Sequence, residues 1–395
     1  MRYLLLLLPC CLLLIACSKS DDAAIANFET LCEMVANDAK PIGISPPLTE
    51  NEVNANWDVF DQIAKKWDLN IYRDNDFPIT ALWPSSITKN KEVVLVYKHP
   101  RLVQYLQLKD DLKTIDPIQA ARRLGRMLGY SSLGINRLLA DNSSFRTLNS
   151  FGVNAQVTHL YYEDVVEANQ FYGDVLGLQA LEDNRYQISE DAIIQLNAFD
   201  ETHPADQSLS TAIALLTDQL PEWYVYLQEA EVPIKYTYKP RDGGPHDGFV
   251  AVDPGGYFLE FELFKQHPEN ELFVAYLEES PKVMTKIDSM NFYGSITWTY
   301  HNDLLKMQSF YEEHLGFELV ADQGWTKIYR TSPTGFIGLV DERRGMMDYA
   351  DEKAVEVEWE IEDKEGAIQY FSENDGWESS DELLLGPEKY RYSFR

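Results

Sequence analysis

The run AVEVEWEIED, Ala354 to Asp363, alternates strictly: Val355, Val357, Trp359 and Ile361 fall on one face, Glu356, Glu358 and Glu360 on the other. On a strand these carboxylates stand about 7 Å apart in a row. Such a row suits a cationic ligand or ion, or else a solvated face. Glu260 and Glu262 share one face of a second strand-like run, Tyr257 to Leu263. His159 opens the aromatic stretch HLYY, with Tyr161 two residues on, and Trp298 and Tyr300 hold the same places in a second copy. His301 reads as a capping or surface residue, and His203 and His314 as surface positions. Two loops carry arginine. In Arg241 to Asp247, either Arg241 or His246 could orient an anionic group or pass a proton. In Asp341 to Gly345, Arg343 or Arg344 could reach a cleft. An ordinary turn is the competing reading of both loops.

These residues sit on a repeated element. His159–Leu181 (HLYYEDVVEANQFYGDVLGLQAL) and Trp298–Val320 (WTYHNDLLKMQSFYEEHLGFELV) match at an offset of 139. The offset pairs Asp164 with Asp303, Phe171-Tyr172 with Phe310-Tyr311, and Leu176-Gly177 with Leu315-Gly316. Each copy is a strand, an Asp able to cap a helix, and an amphipathic helix closed by Gly. One supersecondary unit used twice implies a two-module body with a cleft. The organisation is a leader, 1–17; a mainly helical region without a recognised motif, 18–150; module one, 151–265; a linker, 266–292; and module two, 293–395. In the helical region Asp116-Pro117 is a cap followed by a first-turn residue, and Arg122, Arg123 and Arg126 form a basic cluster that could touch membrane phosphates but better suits a salt-bridged face.

The leader has Arg2, the apolar run Leu4 to Ile15, and then Leu14-Ile15-Ala16-Cys17. That is the charged start and short apolar core of a secretory signal, too short to span a bilayer comfortably. Its last four residues resemble the bacterial lipobox, which implies lipidation of Cys17 and anchoring in the cell envelope, with Ser18 fitting the outer membrane. Cys10 and Cys11 then leave with the signal, Cys17 carries lipid, and Cys32 alone remains, so neither an intramolecular disulfide nor a cysteine metal cluster can form. With 64 acidic against 34 basic residues, a net charge of −30, the bulk surface is unsuited to nucleic acid. The membrane partner is then reached through the lipid.

Beyond the strand–Asp–helix–FY–LG pattern, module one contains Asp253-Pro254-Gly255-Gly256-Tyr257-Phe258-Leu259-Glu260. Together these resemble the vicinal oxygen chelate superfamily, the glyoxalase and bleomycin-resistance fold, over somewhat more than half of the chain. The resemblance implies an α+β fold of tandem βαβββ modules whose sheets curl around a cleft. It also implies a divalent metal at four positions. In module one these hold Val157, Gln195, Ala212 and Glu260; in module two they hold Ile296, a residue near Gly338, and Glu356. In module one Glu260 alone is a usual ligand, with Gln195 a weak second, so the usual metal site is expected to be degraded or relocated, and the absence of a cofactor is favoured over a divalent metal. A relocated site would join Glu260, His159 and Gln195. The resemblance turns the Glu356 and Glu358 face toward the ligand. The expected ligand-binding set is therefore His159, Tyr161, Gln195, Trp298, Tyr300, Glu356 and Glu358.

Module two breaks the pattern. Gly386-Pro387 matches Gly244-Pro245, which makes Tyr390 to Phe394 the penultimate strand and leaves the final strand and its Glu absent, as in a truncated product. Three functions follow as expectations: a membrane-anchored protein binding a small molecule in the cleft, a metal-dependent lyase, isomerase or extradiol-type dioxygenase, and a scaffold for the helical region.

Overall fold

The computed structural model describes residues 10–83, 85–112, 114–287, 289–373, 379–380 and 383–395, with side chains from residue 23 onward except at 85, 379, 380 and 383. Cys17, the expected lipidation site, has its side chain outside the described residues. Among the residues searched, no helix is long and apolar enough to cross a membrane. The chain divides into two compact units, Met1–Arg146 and Thr147–Arg395.

In the first unit β1 (Ile42–Ile44), β2 (Asn70–Asp74) and β3 (Val93–Tyr97) form an antiparallel sheet in the order β1-β3-β2. The helix Glu50–Lys66 starts at a Thr49/Glu52 capping box, and Asp116 caps the helix Pro117–Met127 through the Ile118 and Gln119 amides. Phe28, Cys32, Val35 and Phe60 are buried together. Burial pushes the Cys32 thiol up to about 12, consistent with packing rather than reactivity. Arg122 is buried and donates to Asn136 at 2.8 Å, and Arg123 pairs with Asp111 at 2.6 Å.

The second unit consists of four βαβββ motifs. The first is β4 (Val153–Tyr162), the helix Val165–Gln170, β5 (Gln179–Ala180), β6 (Arg185–Gln187) and β7 (Ala192–Ala198). The second is β8 (Thr211–Leu216), the helix Leu220–Glu229, β9 (Ile234–Tyr236), β10 (His246–Val252) and β11 (Phe258–Phe264). The linker carries the helix Glu271–Glu279 and the pair β12 (Val283–Met284) and β13 (Asn291–Phe292). The third motif is β14 (Gly294–His301), the helix Leu304–Ser309, β15 (Glu318–Asp322), β16 (Thr326–Arg330) and β17 (Gly335–Asp341). The fourth is β18 (Val355–Ile361), the helix Lys364–Glu373, β19 (Ser379–Ser380), β20 (Leu383–Leu385) and β21 (Arg391–Phe394). Asp164 and Asp303 cap their helices as the sequence suggests, accepting from Val166 and Glu167 in one copy and from Lys306 in the other. Gly177 and Gly316 stand at the positive φ that ends each helix, 64° and 74°.

The motifs pair across modules. One eight-stranded sheet runs β5-β6-β7-β4-β18-β21-β20-β19, so the first half of module one joins the second half of module two. The other runs β15-β16-β17-β14-β8-β11-β10-β9 and joins the remaining halves. The seams are antiparallel, with Val157 opposite Glu358 in one and Ile296 opposite Ala214 in the other.

This register corrects the reading of the last strand. β21 lies parallel to β18, with Ser393 beside Glu358, as β11 lies parallel to β8 with Glu260 beside Ala214. Tyr390–Phe394 therefore contains the closing strand of its motif, Gly386-Pro387 stands where Asp253-Pro254 stands, and Ser393 occupies the place of Glu260. The Gly-Pro match was misleading because the aspartate of the turn has become glycine.

The two sheets pack through the Thr158 and Thr297 hydroxyls, 2.6 Å apart, and Gln156, which donates to Thr297 at 3.1 Å. Thr158 and Thr297 are themselves separated by 139 residues, so the local two-fold axis of the duplication runs between them. Strand alternation then turns Val157, His159 and Tyr161 away from Ile296, Trp298 and Tyr300, into separate concave faces.

Candidate functional site

Each concave face collects a seam and its flanking strands, and the two faces differ in chemistry. On the first sheet, β4 and β18 bring His159, Tyr161, Glu356 and Glu358 together with Gln195 of β7. Arg185 of β6 spans them. Its Nε donates to Gln195 at 2.7 Å, one terminal nitrogen donates to Glu358 at 2.7 Å, and the other lies 3.5 Å from Glu360. Ser393 donates to Glu356 at 2.6 Å. His159 Nε2 faces Glu358 at 3.7 Å, and His203 Nε2 faces Glu356 at 4.0 Å. Burial pushes the Glu358 carboxyl up, but His159 and Arg185 outweigh it and hold the group below its ordinary value. His203, expected at the surface, is buried. Asp200 accepts from its backbone amide at 2.7 Å, Gln207 meets its Nδ1 at 2.9 Å, and its ring stacks on Tyr161 with centroids 3.8 Å apart. This face is closed by its own ion pairs and by an imidazole. Glu356 and Glu358 are thus largely shielded and partnered within the protein, while Glu360 at the end of the row is more exposed.

The second sheet's concave face is apolar. Ala212 and Ala214, opposite Trp298 and Ile296, leave space where the first sheet has glutamates. The linker helix Glu271–Glu279 fills one end with Phe273, Val274 and Leu277. What remains is a cavity of ≈110 Å³, walled by Trp298, Tyr300, Trp325, Phe264 and Met346, into which Glu260 and Glu262 project from β11. Gly338 lies directly under the Trp298 indole and Gly345 against the Tyr300 ring; a Cβ at either would overlap the ring. Glu262 Oε2, Trp298 Nε1, Thr326 Oγ1 and His246 Nδ1 are buried at this cavity without a hydrogen-bond partner among the described residues. Burial raises the Glu260 carboxyl to about 8, and burial with the neighbouring Glu260 charge raises Glu262 well above its ordinary value. Arg344 lines the cavity with its guanidinium 4.8 Å from the Trp325 ring centroid. His246 is held below its usual value by burial and the nearby Arg241. Both loop arginines are exposed, but Arg344 lines the cavity mouth, whereas Arg343 pairs with Asp341 at 2.6 Å.

The expected residues therefore separate. His159, Tyr161, Gln195, Glu356 and Glu358 meet on the first sheet; Trp298, Tyr300 and Glu260 meet on the second. Joining His159 and Gln195 to Glu260 in one metal site is corrected, because β4 and β11 lie in different sheets with faces turned apart. His301, expected at a cap or the surface, is buried beside Glu388 at 2.9 Å. Trp325, Thr326, Met346, Arg185 and His203 were not singled out as site residues, because each arrives by non-local pairing or from a loop.

The metal positions implied by the resemblance also recombine. The second sheet's face offers Ile296, Gly338, Ala212 and Glu260; the first offers Val157, Gln195, Glu356 and Ser393. One carboxylate, or one carboxylate with an amide and a hydroxyl, does not fit a divalent centre that needs three or four strong donors. Among the described residues, no group of three His, Cys, Asp or Glu is placed to hold a metal.

Residues 154–261 match the family model of the Glyoxalase/Bleomycin resistance protein/Dioxygenase superfamily. Glyoxalase I from Zea mays is 13% identical, with 62% of this chain and 94% of that chain covered at a TM-score of 0.42. Lactoylglutathione lyase from Agrobacterium tumefaciens is 22% identical over 27% of this chain and 90% of its own, with a TM-score of 0.23. TioX from Micromonospora sp. ML1 is 15% identical over 29% and 100%, with a TM-score of 0.24. No curated protein matches. With the strand–helix unit in place and the Asp253 turn leading into Glu260, residues 154–261 are a domain of the Glyoxalase/Bleomycin resistance protein/Dioxygenase superfamily.

Proposed function

We propose that this is a lipid-anchored, glyoxalase-like binding protein that takes a small molecule into the cavity of the second sheet without the metal centre of its superfamily. The observation that carries the reading is the cavity itself: aromatic walls surround buried polar atoms that no described residue satisfies. A concave apolar pocket with a few convergent polar groups is the usual form of a ligand site. Buried polar atoms without partners are costly unless something supplies the missing bonds. Anchoring in the bacterial envelope rests on Leu14-Ile15-Ala16-Cys17.

Ligand-observed NMR with a panel of small neutral, anionic and cationic aromatics tests the site. Saturable binding is expected, with at least a ten-fold loss in Thr326→Phe, which fills the cavity, and none in Glu356→Gln on the other face. Binding indifferent to Thr326→Phe, or abolished by EDTA, would overturn the reading. The anchor is tested separately by incorporation of labelled palmitate in bacteria, which Cys17→Ala must eliminate.

A further inference from the structure

This inference rests on the cavity being the ligand site and specifies the charge of what it takes. We propose that the cavity of the second sheet binds a small organic ammonium ion, held by Glu260 and Glu262 against the aromatic walls, and that its binding expels a proton. The argument starts from Glu262. Its side chain is buried with Oε2 facing the cavity and unpartnered, two residues from Glu260 on the same face of β11. No described residue forms an ion pair with either carboxylate. The nearby cations are engaged elsewhere: Arg344 lies over Trp325, Lys235 over Phe258 with its ammonium 5.3 Å from the ring centroid, and Lys265 with Asp247 at 3.0 Å. The pair thus lacks a counter-charge that a ligand can bring. Trp298 and Tyr300 supply π faces, which attract a cation most strongly where water is excluded. Glu262 Oε2 needs an N–H donor, so the cation carries hydrogens on nitrogen and is not quaternary. Trp298 Nε1–H needs an acceptor and Thr326 Oγ1 can give or take a hydrogen bond, so the preferred ligand also carries an oxygen.

Without ligand the two carboxyls keep protons that burial and mutual repulsion hold on them. The other titratable groups facing them are Tyr300 and Tyr293, both raised by burial, and His246, lowered by burial. All three are therefore neutral at pH 7. The ligand enters as R–NH3+, one of the two carboxyls releases its proton to the buffer, and the resulting carboxylate accepts N–H bonds.

The test is isothermal titration calorimetry of the intact protein at pH 7 with 2-phenylethylamine and its near-isosteric neutral partner 2-phenylethanol, in phosphate and in Tris. Expected are at least ten-fold tighter binding of the amine, a heat that differs between buffers by about one released proton, and affinity rising toward pH 8. Glu262→Gln should remove the preference for the amine, and Glu260→Gln repeats the measurement should the first variant fold poorly. Equal binding of the alcohol that Thr326→Phe abolishes would overturn the ammonium proposal and leave the cavity reading standing. No binding of the amine, or a preference surviving in both variants, would also overturn the proposal, as would Glu262-dependent uptake of Mn2+ alone without amine binding. If the NMR panel also shows no binding lost in Thr326→Phe, the cavity reading falls with it.

Discussion

Glu260 and Glu262 make the empty cavity sensitive to pH in a defined direction. Burial lifts Glu260 from 4.5 to about 8 and raises Glu262 well above its ordinary value, so both keep protons in the fold that they lose in the unfolded chain. Their contribution to stability is complete below about pH 4.5 and is lost as pH rises through about 8. Glu262→Gln should therefore gain at least about 1.4 kcal/mol over the parent at pH 8.5 and be nearly neutral at pH 5, as read by urea unfolding at both values; a gain independent of pH would sink the account. Glu358 has the opposite sign. Held below its ordinary value, it supports the fold above about pH 4.5, and that support is lost as pH falls below. Arg185→Met strands Glu358 among buried groups and should cost about 3 kcal/mol at pH 7, much of it recovered by adding Glu358→Gln. Sequence patterning made Glu260, Glu262, Trp298 and Tyr300 visible because strand alternation alone fixes a face. It could not show that Arg185 and His203 occupy the first face, because those contacts depend on which strands become neighbours.

At the level of elements, matched strands carry different cargo. Gly338 faces Trp298 across the β14–β17 pair, where Gln195 faces His159 across β4–β7. Glycine there is a matter of space: it lets the indole lie flat and form a wall of the cavity. Gly338→Ala should push the ring into the cavity, cost about 1–3 kcal/mol as overpacking does, and weaken any cavity ligand, whereas Gln195→Ala on the first sheet should leave ligand binding unchanged. Thermal unfolding and ligand-observed NMR on both variants would decide this, and equal effects on binding would count against it. The linker helix Glu271–Glu279 is the element whose role was least legible. Its apolar side is evident in ELFVAYLEE, but that this side fills a concave sheet face, reducing a cleft to a cavity, follows only once β14 lies beside β8.

For the whole second unit, the duplication acts through exchange. The repeat at offset 139 was legible and predicted two modules; that each sheet would take one half of each module was not, because the local pattern is identical for either pairing. The exchange is locked by a reciprocal pair of tyrosines. Tyr257, at the start of β11, accepts from the Tyr161 amide at 2.9 Å and donates to the Ala354 carbonyl at 2.6 Å, both on the other sheet's side. Tyr390, at the start of β21, accepts from the Tyr300 amide at 2.7 Å and donates to the Ser210 carbonyl at 2.7 Å. Both hydroxyls are buried, and each removal leaves a backbone amide and a carbonyl without a partner. Tyr257→Phe and Tyr390→Phe should therefore each cost about 1–3 kcal/mol in urea unfolding. The two clamps share no partner, so the double variant should lose the sum to within about 0.5 kcal/mol. If Tyr390 were part of a loose terminal segment instead of a clamp on the closing strand, Tyr390→Phe would be silent while Tyr257→Phe was not, and the equivalence of the two halves would fail.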